Sequence, residues 1–461
     1  MKIYDKPIQR LASSQPAFLA SPLSTIALLL ALLGTVPVPL LVSTVQGADM
    51  VEPGEIRADH PLWILDHATN EGVRVSDLDT SGLASLQAHG AGKFQTPRPA
   101  GYSPAQVRRA YGFDQLRNDG RRQTIALTLG YDYPNAAADL RTFIETFKLK
   151  MLYGLPGRPP CTVAVGPHPC FQVVYARGTQ PPFDDFWALE GALDIQWAHA
   201  IAPGADLLLV EGMDNTLGEL FNAVDVAVSG GASVVSMSWG APEFPPESVF
   251  DHHFYDPAGV TFVAGSGDSG NPGMYPAASP YVVAAGGTRL PLDRRGNRTG
   301  PETAWSGSGG GISLYEPLPS YQSDYPIPAT GGYRGFPDVS YNADPVTGFA
   351  VYDSHGFAGQ SGWMVIAGTS AAAPQWAALI ALANERRNGD NLSSDNLLSS
   401  PLYDAAKQQK WYSPFYGAYL DVKSGSNGPC GVVCTATRGY DFVTGLGSPN
   451  AGKLVEELAV Y

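Results

Sequence analysis

Apolar runs of strand length alternate with helix-like stretches through most of this chain, and this pattern restricts the fold more than any other feature. The strand-like runs are Thr124 to Leu129, Asp206 to Val210, Ser233 to Ser238 and Val260 to Ala264. The stretches with helical periodicity include Ala136 to Phe147 and Leu217 to Val228. Buried strands separated by helices of this length are typical of a parallel sheet. The pattern therefore predicts an α/β fold, with a mainly parallel central sheet and helices on both of its faces.

Charge limits the partners that such a domain can have. The 461 residues include 29 basic and 43 acidic side chains, which give a net charge of −14, and there is no long basic run. A phosphate backbone would be repelled by this surface, so we do not expect nucleic acid as a partner. Charged residues make up only 16% of the chain, so few ion pairs are lost when carboxylates protonate, and the composition favours tolerance of acid. We expect a monomer.

The N-terminus has the features of an export signal. A basic leader is followed by an apolar run over residues 25–42 and by small residues up to Ala48. This order predicts a signal peptide over residues 1–48. Pro37 and Pro39 disfavour a membrane-spanning helix, although an uncleaved anchor or a buried core helix stays open. With a signal or an anchor, the rest of the chain is predicted to be secreted or otherwise extracytoplasmic, and periplasmic if the source is a Gram-negative bacterium. We expect membrane association only if the N-terminal segment is not cleaved.

Four cysteines fall in two close pairs, Cys161 with Cys170 and Cys430 with Cys434. In an exported protein this spacing favours two local disulfides, although four cysteines permit three pairings. A metal site is the weaker alternative, because the second pair has no neighbouring histidine.

Two carboxylates stand in the otherwise apolar segment 186–200, FWALEGALDIQWAHA. If the segment is a helix, Glu190 and Asp194 are neighbours on one flank. Two like charges so placed repel each other, and burial makes ionisation of both harder still, so one of them should keep its proton to a higher pH. The plain alternative is a solvated helix face.

A serine with the surroundings of a nucleophile lies in the segment AGTSAAAP, residues 367–374, ahead of the apolar helical run QWAALIALA. Small residues around a serine at the start of a helix let a substrate approach closely and leave the backbone N–H free. The segment resembles the nucleophile segment of subtilisin-like serine peptidases. Those enzymes also need a histidine as general base, in a His-Gly-Thr-like context. None of the eight histidines has that context; they stand at positions 60, 67, 89, 168, 199, 252, 253 and 355.

The carboxylate helix stands where the subtilisin pattern places the missing histidine. It leads into AIAPGADLLLV, as the histidine helix of a subtilisin leads into an Ala-Pro-x-Ala segment and a strand. With carboxylates in place of the histidine, the chain resembles the sedolisin family, the serine-carboxyl peptidases. The resemblance extends from about residue 96 to residue 461. Segments that carry it are YSPAQVRRAYGFD (102–114), SMSWGAPE (236–243), AGSGDSG (264–270), YPAASPYVVAAGGTRL (275–290), GGGISLYEPLPSYQ (309–322) and FVTGLGSPN (442–450).

The resemblance implies a subtilisin-like three-layer fold and assigns roles to four residues. Ser370 would be the nucleophile, Glu190 the general base and then acid, Asp194 the group that orients Glu190, and Asp268 the oxyanion-hole residue. An aspartate can donate to an oxyanion only while it is protonated, so Asp268 needs a raised pKa. Since carboxylates titrate in the acid range, the enzyme should hydrolyse peptides with a bell-shaped rate profile centred at acid pH.

The resemblance also implies one structural Ca²⁺ ion near the C-terminus. Its ligands would be the carboxylates of Asp421 and Asp441 and the backbone carbonyls of Val422, Thr437 and Gly439. Oxygen-only ligation suits a hard cation. Members of the family usually have glycine where Thr437 stands, and a carbonyl ligand survives that change if the backbone angles do. Without the resemblance, Asp421 and Asp441 would be interpreted as residues that form turns.

The chain departs from the family at two further points. Residues 49–95 lie between the predicted signal and the peptidase domain over 96–461, and they are too few for the large folded propeptide of the family; we expect a short prosegment remnant or a linker. Tyr133 stands where some relatives extend the carboxylate pair with a further Glu. Two rivals stay open: a catalytically inactive module that binds peptides, and a conventional Ser-His-Asp subtilase. Peptide or protein substrates are the expected partners of an active enzyme.

Overall fold

The structure is a computed structural model. It describes residues 52–60, 62–78, 84, 92–256, 259–387, 390–399, 401–408 and 417–460. The predicted signal over residues 1–48 lies outside these ranges. Within them, no helix is both long and apolar enough to cross a membrane.

The strands and helices are numbered here in chain order. The strands are β1 Trp63–Asp66, β2 Glu71–Arg74, β3 Thr124–Gly130, β4 Phe171–Tyr175, β5 Asp206–Gly212, β6 Val234–Met237, β7 Ala241–Pro242, β8 Thr261–Gly265, β9 Met274–Tyr275, β10 Val283–Arg289, β11 Thr303–Ala304, β12 Gly311–Pro317, β13 Tyr333–Phe336, β14 Val339–Asn342, β15 Phe349–Phe357, β16 Gln360–Ala367, β17 Tyr419–Leu420 and β18 Ser448–Pro449. The α-helices are α1 Pro104–Tyr111, α2 Ala136–Phe147, α3 Asp185–Ile201, α4 Leu217–Ser229, α5 Ser320–Ser323, α6 Thr369–Arg386, α7 Ser394–Ser399, α8 Pro401–Gln408 and α9 Ala451–Leu458.

The central sheet has the order β11-β10-β8-β6-β3-β5-β4, and β14 also pairs with β10. All of these pairs are parallel except β10 with β11. The four strand-like runs of the sequence form β3, β5, β6 and β8, with ends that differ from the prediction by one or two residues. The predicted mainly parallel sheet is confirmed.

Helices pack on both faces of this sheet. Leu129 of β3 faces α3, because a Cβ added at Gly191 would meet its side chain. Leu208 of β5 faces Gly230 at the end of α4, and its strand partner is Ala126. Because side chains alternate along a strand, Ala126 and Leu129 point to opposite faces. The three-layer arrangement is therefore confirmed.

A second, antiparallel sheet joins residues near the N-terminus to the C-terminal half of the chain. Its order is β15-β16-β1-β2, and Trp63 pairs with Ala367 at the end of β16. The hairpin of β1 and β2 therefore lies beside the strand that leads directly into α6. Both predicted disulfides, Cys161–Cys170 and Cys430–Cys434, are present.

Candidate active site

Helix α3 carries the two carboxylates into the interior. Asp184 caps its N-terminus by accepting hydrogen bonds from the N–H groups of Phe186 and Trp187, and the helix is buried from Trp187 to its last residue. A helix that is apolar on all sides is stable only inside a core. Glu190 and Asp194 are both 0% exposed, so the solvated-face alternative is wrong.

Burial changes the protonation of this pair. Burial raises the pKa of Glu190 well above its usual range, the charge of Asp194 raises it further, and the Ser370 hydroxyl lowers it. Burial also raises the pKa of Asp194, against the hydrogen bond from Ser238 and the neighbouring Glu190 side chain, which lower it. Two adjacent carboxyl groups in a low-dielectric site share a proton instead of ionising together.

Ser238 connects the carboxylate pair to the serine. Its hydroxyl donates to Asp194 Oδ1 at 2.7 Å, and the same oxygen lies 3.2 Å from the backbone carbonyl oxygen of Ser370. The single hydroxyl proton therefore fixes the side chain of Asp194 next to the start of α6. Ser238 belongs to the family-like segment SMSWGAPE, but nothing in that segment predicts this role.

Ser370 is the second residue of α6 and is 0% exposed. The helix begins after Gly368, whose φ of 119° is accessible to glycine at little cost. Ser370 Oγ has no hydrogen-bond partner, and neither carboxylate oxygen of Glu190 has one. The hydroxyl nevertheless faces Glu190 closely enough to affect its pKa.

Asp268 follows β8 and is 4% exposed. Its Oδ1 accepts hydrogen bonds from the N–H group and the hydroxyl of Thr369, at 2.8 and 2.9 Å, whereas its buried Oδ2 has no partner. Burial raises the pKa of Asp268 well above its usual range. A proton on Oδ2 would make this oxygen a free hydrogen-bond donor.

His60 is a residue at this site that the sequence patterns do not predict. Its Nδ1 lies 3.5 Å from Glu190 Oε2, its ring centroid is 5.0 Å from that of Trp187, and it is 5% exposed. Burial lowers the pKa of His60, which favours the neutral ring. No local sequence signal could have found this contact, because 130 positions separate the two residues along the chain.

Four of the five predicted calcium ligands are joined in two pairs by hydrogen bonds near the C-terminus. Asp441 Oδ2 accepts from the Thr437 N–H at 2.9 Å, and Asp421 Oδ1 accepts from the Gly439 N–H at 3.1 Å. Asp421 Oδ2 is buried without a hydrogen-bond partner, and Lys423 Nζ lies 3.6 Å from it. In the described part of the chain, no three His, Cys, Asp or Glu side chains converge as a metal site.

Comparisons with known proteins support the sequence resemblance. A family model described as "Subtilase family" matches residues 188–417. The structure of Pseudomonas sedolisin, a serine-carboxyl proteinase, complexed with two molecules of pseudo-iodotyrostatin is similar with a TM-score of 0.63 and 27% identity, over 78% of this chain and 99% of that chain. Kumamolisin from Bacillus sp. (strain MN-32) is 34% identical over 426 residues, which cover 83% of this chain and 70% of kumamolisin. This chain belongs to the sedolisin family.

Membership makes this protein a serine-carboxyl peptidase that acts on peptide or protein substrates. Its relatives also include tripeptidyl-peptidase 1 from Dictyostelium discoideum, which is 33% identical over 308 residues that cover 58% of this chain and 47% of that protein. Tyr133 is the residue that we expect in the position of a further Glu in some relatives. Its hydroxyl donates to Asp139 Oδ2 at 2.7 Å, so it does not continue the Glu190–Asp194 pair.

Proposed function

We propose that this sedolisin hydrolyses peptide bonds through an acyl-enzyme at Ser370, with Glu190 as the base. One observation carries the proposal: two fully buried carboxylates share one helical turn, and Ser238 ties one of them to the backbone of Ser370. The burial of Glu190 beside Ser370 supports its role as proton acceptor, because a carboxylate with a raised pKa is a stronger base. Asp194 shares with Glu190 the one proton that the pair retains.

The reaction then follows from the protons that each group holds. Ser370 Oγ attacks the substrate carbonyl carbon while its proton passes to Glu190, and the tetrahedral oxyanion accepts a hydrogen bond from protonated Asp268. Glu190 returns the proton to the leaving amine, and the C–N bond breaks to give the acyl-enzyme. A water molecule then attacks the acyl carbon while its proton passes to Glu190, and Glu190 gives that proton to Ser370 Oγ as the ester bond breaks and the second product leaves. Thr369 positions Asp268 by holding Oδ1.

The pH dependence of hydrolysis tests these roles. As pH rises, the rate of cleavage of an internally quenched peptide should increase when the Glu190–Asp194 pair loses its first proton, and it should decrease when Asp268 ionises. Because burial raises the pKa of Asp268, the descending limb should lie above the ordinary aspartate range. We expect a bell-shaped profile with its maximum on the acid side of neutrality. An optimum at neutral pH would instead support a histidine base, and no hydrolysis at any pH would support an inactive peptide-binding module.

We further propose that Asp421 and Asp441, with the carbonyls of Val422, Thr437 and Gly439, hold one structural Ca²⁺ ion. The donors are all oxygens, as such an ion prefers, and Asp421 Oδ2 accepts no hydrogen bond and has the Lys423 ammonium 3.6 Å away. When bound, the cation would neutralise these two carboxylates and join the two loops that carry them. The two disulfides support our proposal that the protein works outside the cytoplasm.

Removal of the ion should destabilise the fold. With calcium at about 100 times its Kd, binding stabilises the native state by about 2.7 kcal/mol, so chelation should lower the midpoint of thermal unfolding by several degrees. Differential scanning calorimetry with added calcium or chelator measures this shift. Asp421→Asn should remove it, whereas the matched Asp390→Asn, at a side chain that is 82% exposed, should keep it. An equal midpoint with and without calcium contradicts the site.

A further inference from the structure

A cavity of about 680 Å³ beside helix α1 is lined by four arginines. Arg108 and Arg109 belong to α1, and Arg294 and Arg295 belong to the loop after β10. Among the described residues that line this cavity, Asp114 is the only acidic one. The chain as a whole has 43 acidic and 29 basic side chains, so this grouping runs against its composition. The cavity therefore attracts anions.

The two elements that carry the arginines are joined by hydrogen bonds. The side-chain amide of Gln106 donates to the Asp293 carbonyl at 3.0 Å, and Arg298 Nη2 donates to the Ala110 carbonyl at 3.3 Å. Asp293 also stabilises its own loop, because its Oδ1 accepts from the Arg295 N–H at 2.8 Å. A ligand therefore meets the four guanidinium groups on a backbone that is already in place, which lowers the entropic cost of binding.

Arg108 is half-buried, whereas the other three arginines of the cavity are exposed. Its Nη1 donates to the carbonyls of Ala200 and Ile201, at the end of α3, at 3.2 and 2.5 Å. Burial lowers the pKa of Arg108, against neighbouring groups such as Asp114 that raise it. In the described part of the chain, none of the four arginines forms an ion pair with a carboxylate. An anion from outside the chain would compensate this partly desolvated charge.

The cavity lies at the edge of the central sheet opposite to the catalytic residues. Ser238 and Asp268 follow the carboxyl ends of β6 and β8. Ile201, which accepts from Arg108, instead precedes the amino end of β5 at Asp206. These strands run parallel through β3, and the five residues of β8 span about 16 Å. A ligand in the cavity therefore does not overlap the catalytic site.

The lining of the cavity restricts the chemistry of the ligand. A guanidinium group donates two parallel hydrogen bonds to the oxygens of a phosphate or sulfate group. At the acid pH proposed for hydrolysis, carboxylates are partly protonated, whereas phosphate and sulfate esters stay anionic. Phe147 and Leu149 also line the cavity and are partly buried against the core. Carbon atoms between the anionic groups can pack on these two side chains.

We propose that this cavity is an exosite, a binding site outside the catalytic site, for a carbohydrate that carries sulfate or phosphate ester groups. The arginine pair of α1 binds one ester group, and the pair of the loop binds a second. A peptidase bound in this way is retained on an anionic carbohydrate while its catalytic residues stay free. The proposal depends on the proposed function only for the acid pH that favours esters over carboxylates.

Isothermal titration calorimetry of the full chain with sucrose octasulfate at about pH 4 tests the exosite. We expect a Kd of about micromolar order at low salt, and weaker binding with added salt, which screens exposed charges. Arg294→Gln combined with Arg295→Gln should weaken binding about five- to tenfold. Both residues are exposed on a loop, so the double variant should fold normally. Arg108 is left unchanged because it supports the end of α3.

Arg177→Gln is the matched control for the loop double variant. Its side chain is 53% exposed, and it follows the carboxyl end of β4, at the other edge of the sheet. The variant should bind sucrose octasulfate within about twofold of the unmodified chain. No binding by the unmodified chain, or equal weakening by the double variant and by the control, would overturn the exosite.

Two further ligands test the chemical class under the same conditions. Inositol hexakisphosphate should bind to the same arginines, and its affinity relative to that of the octasulfate identifies the preferred ester. An oligomer of galacturonic acid, whose anionic groups are carboxylates, should bind at least about fivefold more weakly than the better ester. Equal binding of the galacturonic acid oligomer would overturn the assignment to esters.

Hydrolysis of an internally quenched peptide separates this proposal from the catalytic one. Saturating octasulfate should change kcat/KM by less than about twofold, because the two sites do not overlap. Inhibition that persists in the loop double variant would place the ligand at the catalytic site and overturn the exosite. Binding of the octasulfate by a chain that hydrolyses no peptide would support the exosite and contradict the catalytic roles alone.

Discussion

Replacement of Ser370 by alanine is expected to lower kcat/KM for peptide hydrolysis by at least about 10⁴-fold at acid pH. The variant keeps the carboxylates and the oxyanion donor but has no nucleophile, so only residual stabilisation of the transition state remains. Because Ser370 Oγ has no hydrogen-bond partner, its loss should change the free energy of unfolding very little. Hydrolysis of an internally quenched peptide and thermal unfolding measure the two quantities.

Ser361→Ala provides the matched control for this prediction. Ser361 is an exposed residue of β16, the strand that leads into α6, so its loss should leave kcat/KM unchanged. Hydrolysis by Ser370→Ala within about tenfold of the unmodified enzyme would refute the acyl-enzyme mechanism.

Replacement of Asp268 by alanine is expected to reduce kcat by about 10²- to 10³-fold, which is the usual effect of losing one oxyanion-hole donor. Asp268→Asn should be much more active than alanine. Oδ1 already accepts two hydrogen bonds from Thr369, so the amide oxygen can take that position and the NH₂ group can replace the protonated Oδ2. An amide does not ionise, so the descending limb of the pH–rate profile should move to higher pH.

Full pH–rate profiles of the three forms check this prediction. Asp353→Asn is a suitable control, because burial raises the pKa of Asp353 to about 6, yet this residue lies in β15 beside Asp139 and outside the site. Its profile should match that of the unmodified enzyme. If Asp268→Asn keeps the original descending limb, another group controls that ionisation and the oxyanion role of Asp268 is wrong.

Much of the fold was predictable because it depends on local patterns. Apolar runs of strand length and helical periodicity place β3, β5, β6 and β8 within one or two residues, and helix α2 has the predicted ends. The four-residue spacing of Glu190 and Asp194 predicts two neighbours on one flank of a helix, and both residues lie in α3. The small residues around Ser370 likewise indicate the start of α6. These features are local because side chains three or four positions apart meet on a helix, and alternate side chains meet on a strand.

Only the tertiary structure determines which groups are in contact and which protonation state each group favours. The burial of α3 from Trp187 onward raises the pKa of both of its carboxylates, and no sequence spacing predicts how deeply a helix will be buried. The contacts of Ser238 with Asp194 and of His60 with Glu190 join distant parts of the chain. Residues 56–59 pair with residues 215–217 and with Gly240 through backbone hydrogen bonds, and every residue except proline carries both backbone groups. The sequence thus determined the chemical groups, and packing determined their environment, because backbone pairing and burial leave no distinctive pattern of side chains.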